Sequence, residues 1–197
     1  MAKLNIVIAT GNKDKVREYK ELFKDLDIEV TSMKEEGIDI DIDENGITFQ
    51  ENSMIKAMAV SKHTSKIVIA DDSGLCINAL DDFPGVKSAR FMEGRPYEEK
   101  HQAILEKLKD KEDKSAYYVC AISIVNLPNE EKQIFVGRCD GTIIEPQYGK
   151  YGFGYDPMFK PNGKDVSFSM MTDEEKNQIS HRGIATRQLI DFLSKMQ

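Results

Sequence analysis

Apolar and polar positions follow two periods along this chain, and the places where the period changes outline its elements. Residues 4–9 (Leu-Asn-Ile-Val-Ile-Ala) predict a first strand, and Thr10-Gly11-Asn12-Lys13 a turn. From Lys13 to about Leu26, the apolar residues Val16, Tyr19, Leu22, Phe23 and Leu26 recur at helical spacing. Residues 28–31 and 38–42 read as short strands, the second alternating Ile-Asp-Ile-Asp-Ile before a loop that carries Glu44. Thr48-x-x-Glu51 is a capping box that opens a helix to about Ser61. Pro84-Gly85 marks a turn, and residues 97–109 form an amphipathic helix with Ile104, Leu105 and Leu108 on its apolar side. Residues 116–126 and 133–138 are β-rich and flank Leu127-Pro128-Asn129-Glu130, which predicts a hairpin. Residues 148–161 are a loop rich in Gly, Tyr and Phe. A second capping box, Thr172-x-x-Glu175, precedes a closing helix over residues 181–195. With no internal repeat, low-complexity tract or long linker, the expectation is one α/β domain over residues 1–197.

Residues 67–70 (Ile-Val-Ile-Ala) run directly into Asp71-Asp72-Ser73-Gly74. This predicts a buried strand delivering two carboxylates to the edge of a sheet. Neighbouring strand residues point to opposite faces, so one acid is expected to face a cleft and the other to anchor the loop. Two acids, a hydroxyl and a glycine suit holding a divalent metal and activating water. Asp, Ser and Gly also form turns, and taken alone a turn is the simpler description.

Composition narrows the class. The 197 residues suffice for one well-buried core or two lobes sharing a sheet, and 40% hydrophobic with 31% charged content fits a soluble globular protein. No apolar run reaches bilayer-spanning length and no signal-peptide pattern is present, so no membrane partner is expected. Three cysteines without a C-x-x-C pair argue against disulfides and structural zinc, and for a reducing cytosol. A net charge of −7 lacks the basic balance a nucleic-acid polymer requires, so a small phosphorylated ligand is the expected partner.

Several local motifs are decoys or ambiguous. Asp41-x-Asp43-x-Asn45-Gly46 opens like a calcium loop, but Asn52 stands where a bidentate Glu is needed. Neither a P-loop nor a G-x-G-x-x-G follows a strand, so Thr10–Lys15 is either a different phosphate loop or a plain helix start. Glu51 reads as the acid of its capping box, Asn52 as a brace for a neighbouring loop, and Lys56 alone as a solvated helix residue. Gly152-Phe153-Gly154-Tyr155-Asp156-Pro157 frees the backbone around an aromatic ring, which suits either stacking on a base or a packed turn. His181-Arg182 at the start of the last helix offers donors for a base carbonyl, or a cap.

Together these segments resemble the inosine triphosphate pyrophosphatases, which hydrolyse non-standard purine nucleoside triphosphates. The resemblance runs nearly end to end: Ala9-Thr10-Gly11-Asn12-x-x-Lys15-x-x-Glu18; Thr48-Phe49-x-Glu51-Asn52 with Lys56-Ala57; Ala70-Asp71-Asp72-Ser73-Gly74-Leu75; Pro84-Gly85-Val86 and Ser88-Ala89-Arg90-Phe91; the Gly152–Pro157 segment; and Glu175-Lys176-x-x-Ile179-Ser180-His181-Arg182-Gly183. Ser53, Tyr151 and Cys76 depart from the family's usual residues without removing a group that carries chemistry.

The resemblance implies a long curved mixed sheet flanked by helices, two lobes around a central cleft, a homodimer, and Mg²⁺ as cofactor. It implies cleavage between the α- and β-phosphates of ITP, dITP or XTP. Thr10, Gly11, Asn12, Lys13, Asp14 and Lys15 would hold the triphosphate with Lys56 and Lys176. Asp72 would be general base and metal ligand, and Glu44 a second acid near the metal. Ser73 would touch the ligand and Phe153 would stack on the base, flanked by Gly154 and Tyr155. Asp156, His181 and Arg182 would line the base and sugar pocket. Two alternatives stay open at this point: a pyrophosphatase for modified pyrimidine triphosphates, and a nucleotide sensor without turnover.

Overall fold

The computed structural model describes residues 4–196. Within them one mixed sheet contains β1 (Leu4–Ile8), β2 (Ile28–Ser32), β3 (Ile67–Ile77), β4 (Phe83–Pro84), β5 (Ser115–Val125), β6 (Gln133–Ile143) and β7 (Phe159–Pro161). The spatial order is β2-β1-β3-β5-β6-β7, with β4 paired to the far end of β3. β1 pairs in parallel with β2 and β3, and the other pairings are antiparallel. The flanking helices are α1 (Lys13–Phe23), α2 (Phe49–Ser61), α3 (Tyr97–Leu108), α4 (Asp173–Ile179) and α5 (His181–Ser194).

Alternation along β3 explains the layers. Ile67 and Ile69 face α1 and α5, in a core with Tyr19, Phe23, Ile122, Leu189 and Leu193. Val68 and Ala70 face the opposite side, packed with Ala57 and Val60 of α2. Farther along, Leu75 and Ile77 enter a third core with Ile104 and Leu108 of α3, Tyr118 and Phe159. β3 and β5 therefore run unbroken, each over about 36 Å at 3.3 Å per residue, from one apolar lobe to another. Asp71–Gly74 is the polar waist between the two lobes.

Four expectations need correction. Residues 71–74 are mid-strand, paired with residues 119–122 of β5, so the turn is overturned and the strand runs on past the acids, which do lie at an open edge; cross-strand pairing outweighs turn propensity. Residues 38–42 form no strand. Ile38, Ile40 and Ile42 pack against the α2-side core, but no strand among the described residues pairs with them, so the alternation marks an extended, one-sided segment. β6 continues five residues past Arg138, to Ile143, and the 148–161 segment closes as strand β7. The two capping boxes form as expected, with both reciprocal hydrogen bonds present.

Gly137 of β6 fixes how closely α5 approaches. A Cβ there would overlap the His181 carbonyl and lie 2.7 Å from the Ala185 amide nitrogen, both backbone. Gly137→Ala is expected to destabilise the fold by about 1–3 kcal/mol through overpacking, read as a lower urea midpoint.

Candidate active site

Between its last β1 partner, Ile69, and its first β4 partner, Cys76, β3 has no strand on one side among the described residues. A cleft of about 590 Å³ opens at this notch. Because the edge is bare, side chains from both faces of β3 reach one cavity: Asp72 from the α2 side, and Ser73 from the α1/α5 side.

Asp71 turns away from the cleft into a buried ionic cluster. Its carboxylate accepts from Arg182 Nε (2.6 Å), Lys15 Nζ (2.8 Å) and the Tyr19 hydroxyl (2.8 Å). Glu18 bridges Lys176 Nζ (2.6 Å) and Arg182 Nη1, and Lys176 also meets Asp156 Oδ2 at 2.8 Å. Lys15, Lys176 and Arg182 thus balance Asp71, Glu18 and Asp156. Burial would raise the pKa of both Asp71 and Glu18, but the cations outweigh it. Arg182 and Lys15 hold Asp71 well below its ordinary value, and Arg182 and Lys176 hold Glu18 at about 2. Arg182 spends three of its five N–H donors on Asp71, Glu18 and Ser73 Oγ (2.9 Å), which orients the guanidinium.

Asp72 is different. Its Oδ1 lies 3.4 Å from Lys56 Nζ, which also contacts Glu44 Oε2 at 3.2 Å. Its Oδ2 is buried without a hydrogen-bond partner among the described residues. Burial raises the Asp72 pKa, because Lys56 at this distance and Lys15 recover only part of the lost hydration. Arg90 Nη2 donates to the Glu44 carbonyl at 3.2 Å and ties the acid-bearing loop to the cleft wall.

The Thr10–Lys15 segment is a capped helix start. Thr10 Oγ1 accepts from the Asn12 amide, and Asn12 Oδ1 accepts from the Asp14 and Lys15 amides at 2.9 and 3.2 Å. Two amides that would meet an anion are therefore already satisfied by Asn12. Thr10, Asn12 and Lys15 line the cleft. Gly11 and Lys13 face an adjoining hollow, and Asp14 pairs with Arg17 at 2.7 Å. Lys56 is buried rather than solvated, Glu51 is the capping acid, and Asn52 braces the Gly46 backbone through both its amide atoms.

The other end of the cleft is aromatic. Gly152 and Gly154 adopt φ of +74° and +64°, where side chains are strained, and present the half-buried Phe153 between them. Asp156 Oδ2 accepts from the Phe153 amide at 2.9 Å, and Lys176 Nζ lies 4.9 Å from the ring centroid. Tyr155 donates to the Ser88 carbonyl at 2.7 Å. His181 stacks on Tyr118 with centroids 4.5 Å apart, and burial, followed by Arg182 and Lys176, holds its imidazole well below the usual range and hence neutral. Phe153, Gly154, Tyr155, Asp156, Lys176, His181 and Arg182 all reach the cleft wall.

Glu18, Tyr118 and Arg90 received no role from the sequence. Glu18 has one faint signal, an acid one helical turn after Lys15 beside the apolar Tyr19. The partners of Glu18 and the stacking of Tyr118 arise only in three dimensions.

The Ham1 family model matches residues 6–192. The chain is 43% identical over 190 residues to the dITP/XTP pyrophosphatase of Bacillus subtilis (strain 168), covering 95% of this chain and 96% of the relative. It is 42% identical to the dITP/XTP pyrophosphatase of Christiangramia forsetii, covering 98% and 100%. Among solved structures, a HAM1 protein from Coxiella burnetii superimposes with a TM-score of 0.87 at 40% identity, covering 98% and 99% of the two chains. The Staphylococcus aureus Ham1 protein gives 0.85 at 39%, covering 98% and 100%. By model match, relatives and architecture alike, this chain belongs to the Ham1 family.

Proposed function

We propose that this protein is a nucleoside-triphosphate pyrophosphohydrolase that converts dITP, ITP and XTP to the monophosphate and pyrophosphate. The observation that carries the reading is Asp72: a cleft-facing carboxylate with one buried oxygen left unpartnered among the described residues, at a distance from an aromatic platform that also lines the cavity. Two full-length relatives named for this activity support it.

Charge balance supports a divalent cation, Mg²⁺ in our reading. The ionic cluster under Arg182 is neutral, whereas Asp72 and Glu44 exceed Lys56 by one negative charge. A triphosphate adds about four more, so the lysines do not suffice as free counter-charges. Asp72 Oδ2 and the Glu44 carboxylate would hold the ion, together with phosphate oxygens of the substrate. When bound, Mg²⁺ acidifies water and offsets charge on the phosphoryl oxygens.

The residues then divide the reaction. Asp72 takes a proton from the water whose oxygen bonds to the α-phosphorus. The α–β bridging P–O bond breaks in line, and Lys15 and Lys56 offset the charge of the departing pyrophosphate. Phe153 stacks on the purine, and the Arg182 guanidinium with neutral His181 presents donors to a 6-oxo group. Adenine presents a 6-amino donor instead, and donor facing donor in this buried pocket leaves both unpaired.

The test is pyrophosphate release with Mg²⁺ from dITP, XTP, dATP, dGTP and dTTP. We expect kcat/KM for dATP to fall about 10⁴-fold below that for dITP. Turnover confined to pyrimidines, or tight dITP binding without turnover, would overturn the reading. On the same footing we propose that residues 1–197 act as one domain, as a homodimer on the free nucleotide pool of the cytoplasm. The cysteines Cys76, Cys120 and Cys139 are all unpaired and buried, and no helix among the described residues is long and apolar enough to cross a membrane. Light scattering on the purified chain reads the assembly.

A further inference from the structure

We propose that His101 of α3 is a positioning residue that latches the Phe153 loop, setting the aromatic platform without touching substrate. His101 Nε2 lies 2.9 Å from the Gly154 carbonyl oxygen, and Nδ1 lies 3.3 Å from the Tyr148 hydroxyl. A carbonyl only accepts, so Nε2 carries the proton and Nδ1 accepts from Tyr148. One neutral imidazole is thereby satisfied on both sides, and it ties two points of the chain that bracket Phe153: five residues before it and one after.

The loop needs such a tie. Gly152 and Gly154 remove the steric restraint on the backbone at both flanks of Phe153, and glycine is the residue with most conformational freedom to lose. From within the segment, Asp156 fixes the Phe153 amide. From outside it, α3 supplies the hold: Tyr97 packs edge-on against Tyr155 at 5.3 Å, Lys100 Nζ reaches the Ala89 carbonyl at 3.4 Å, and His101 closes on Gly154. These three residues sit on one helical face at i, i+3 and i+4, and they join the two walls of the base end of the cleft. Burial keeps the His101 imidazole below its usual pKa, against the pull of the Gly154 carbonyl, Glu98 and Asp156, which matches the neutral ring the geometry requires.

This inference rests on the stacking role given to Phe153 above, and the experiment separates the two. Steady-state dITP hydrolysis is measured for the wild-type chain, Phe153→Ala, His101→Phe, His101→Gln, Tyr148→Phe and the Phe153→Ala/His101→Phe double variant. His101→Phe keeps an aromatic ring at this position, slightly larger than imidazole, and loses both bonds. It should raise KM about tenfold with kcat within about twofold, the signature of lost ground-state binding. His101→Gln returns an amide donor near the Nε2 position and should recover most of that loss. Tyr148 is exposed, so Tyr148→Phe tests the latch without endangering the fold and should raise KM about threefold. In the double variant His101→Phe should add nothing beyond Phe153→Ala, since both act through one ring. An unchanged KM in His101→Phe and Tyr148→Phe overturns the latch, as do losses that multiply in the double variant. An unchanged KM in Phe153→Ala refutes the stacking role itself, and the latch with it. Should His101→Phe fail to fold, Tyr148→Phe and its combination with Phe153→Ala decide the question alone.

Discussion

Asp72→Asn is expected to lower kcat for dITP about 10³-fold while dITP binding, measured calorimetrically, changes only severalfold. The magnitude is that of a lost general base, about 10²–10⁴. The substitution keeps the shape of the side chain and its contact with Lys56, so the cleft stays formed. What disappears is the basicity of the carboxylate, because a neutral amide takes no proton from water at neutral pH. Retention of the wild-type rate would mean that another group activates the water and would dismiss the assignment.

One residue earlier, the expected effect moves from rate to stability. Asp71→Ala should destabilise the fold by about 3–5 kcal/mol, the range for breaking a buried ion pair from one side. The carboxylate is only 1% exposed and anchors Arg182, Lys15 and Tyr19 together, so its removal leaves buried donors without an acceptor. A chain whose total stability is about 5–15 kcal/mol loses a large share of it, readable as a shift in urea midpoint. A shift no larger than that of an exposed Asp→Ala control would remove the cluster from any structural role. Acid acts on the same cluster. Glu18 titrates at about 2 in the fold, below its ordinary 4.5, so its contribution is present above pH 4.5 and is lost as pH falls from there towards 2. Glu18→Gln should flatten the acid limb of stability in that window.

How much of this was legible in the sequence depended on how local the cause was. The capping boxes at Thr48/Glu51 and Thr172/Glu175 were readable because both partners lie within one turn. Opposite roles for Asp71 and Asp72 followed from strand alternation alone, and the structure separates them as alternation requires. The Ile-Asp-Ile-Asp-Ile segment misled because alternation reports a one-sided surface, not a ladder partner. β3 ran past the Asp pair because β5 pairs with every residue there, a contact about 50 positions away in sequence. The partners of Glu18 lie 158 and 164 positions downstream, beyond any spacing rule. The lysines expected to confront phosphate as free charges were visible as residues, but their carboxylate partners were not. The roles of Phe153, His181 and Arg182 came from the family resemblance, since each residue alone fits a packed or capping role equally well.

The unbroken passage of β3 and β5 through both lobes has a mechanical consequence. A hinge needs a few residues free to absorb large backbone rotations, and every residue at the waist of these strands is held in a ladder. The lobes therefore cannot swing like two leaves on a pin. The sheet can only flex as a spring, spreading small twists over many residues, so its stiffness limits how far the lobes gape. Movement around a nucleotide is left to the pieces outside the ladder: the extended 38–47 segment bearing Glu44, and the Phe153 loop.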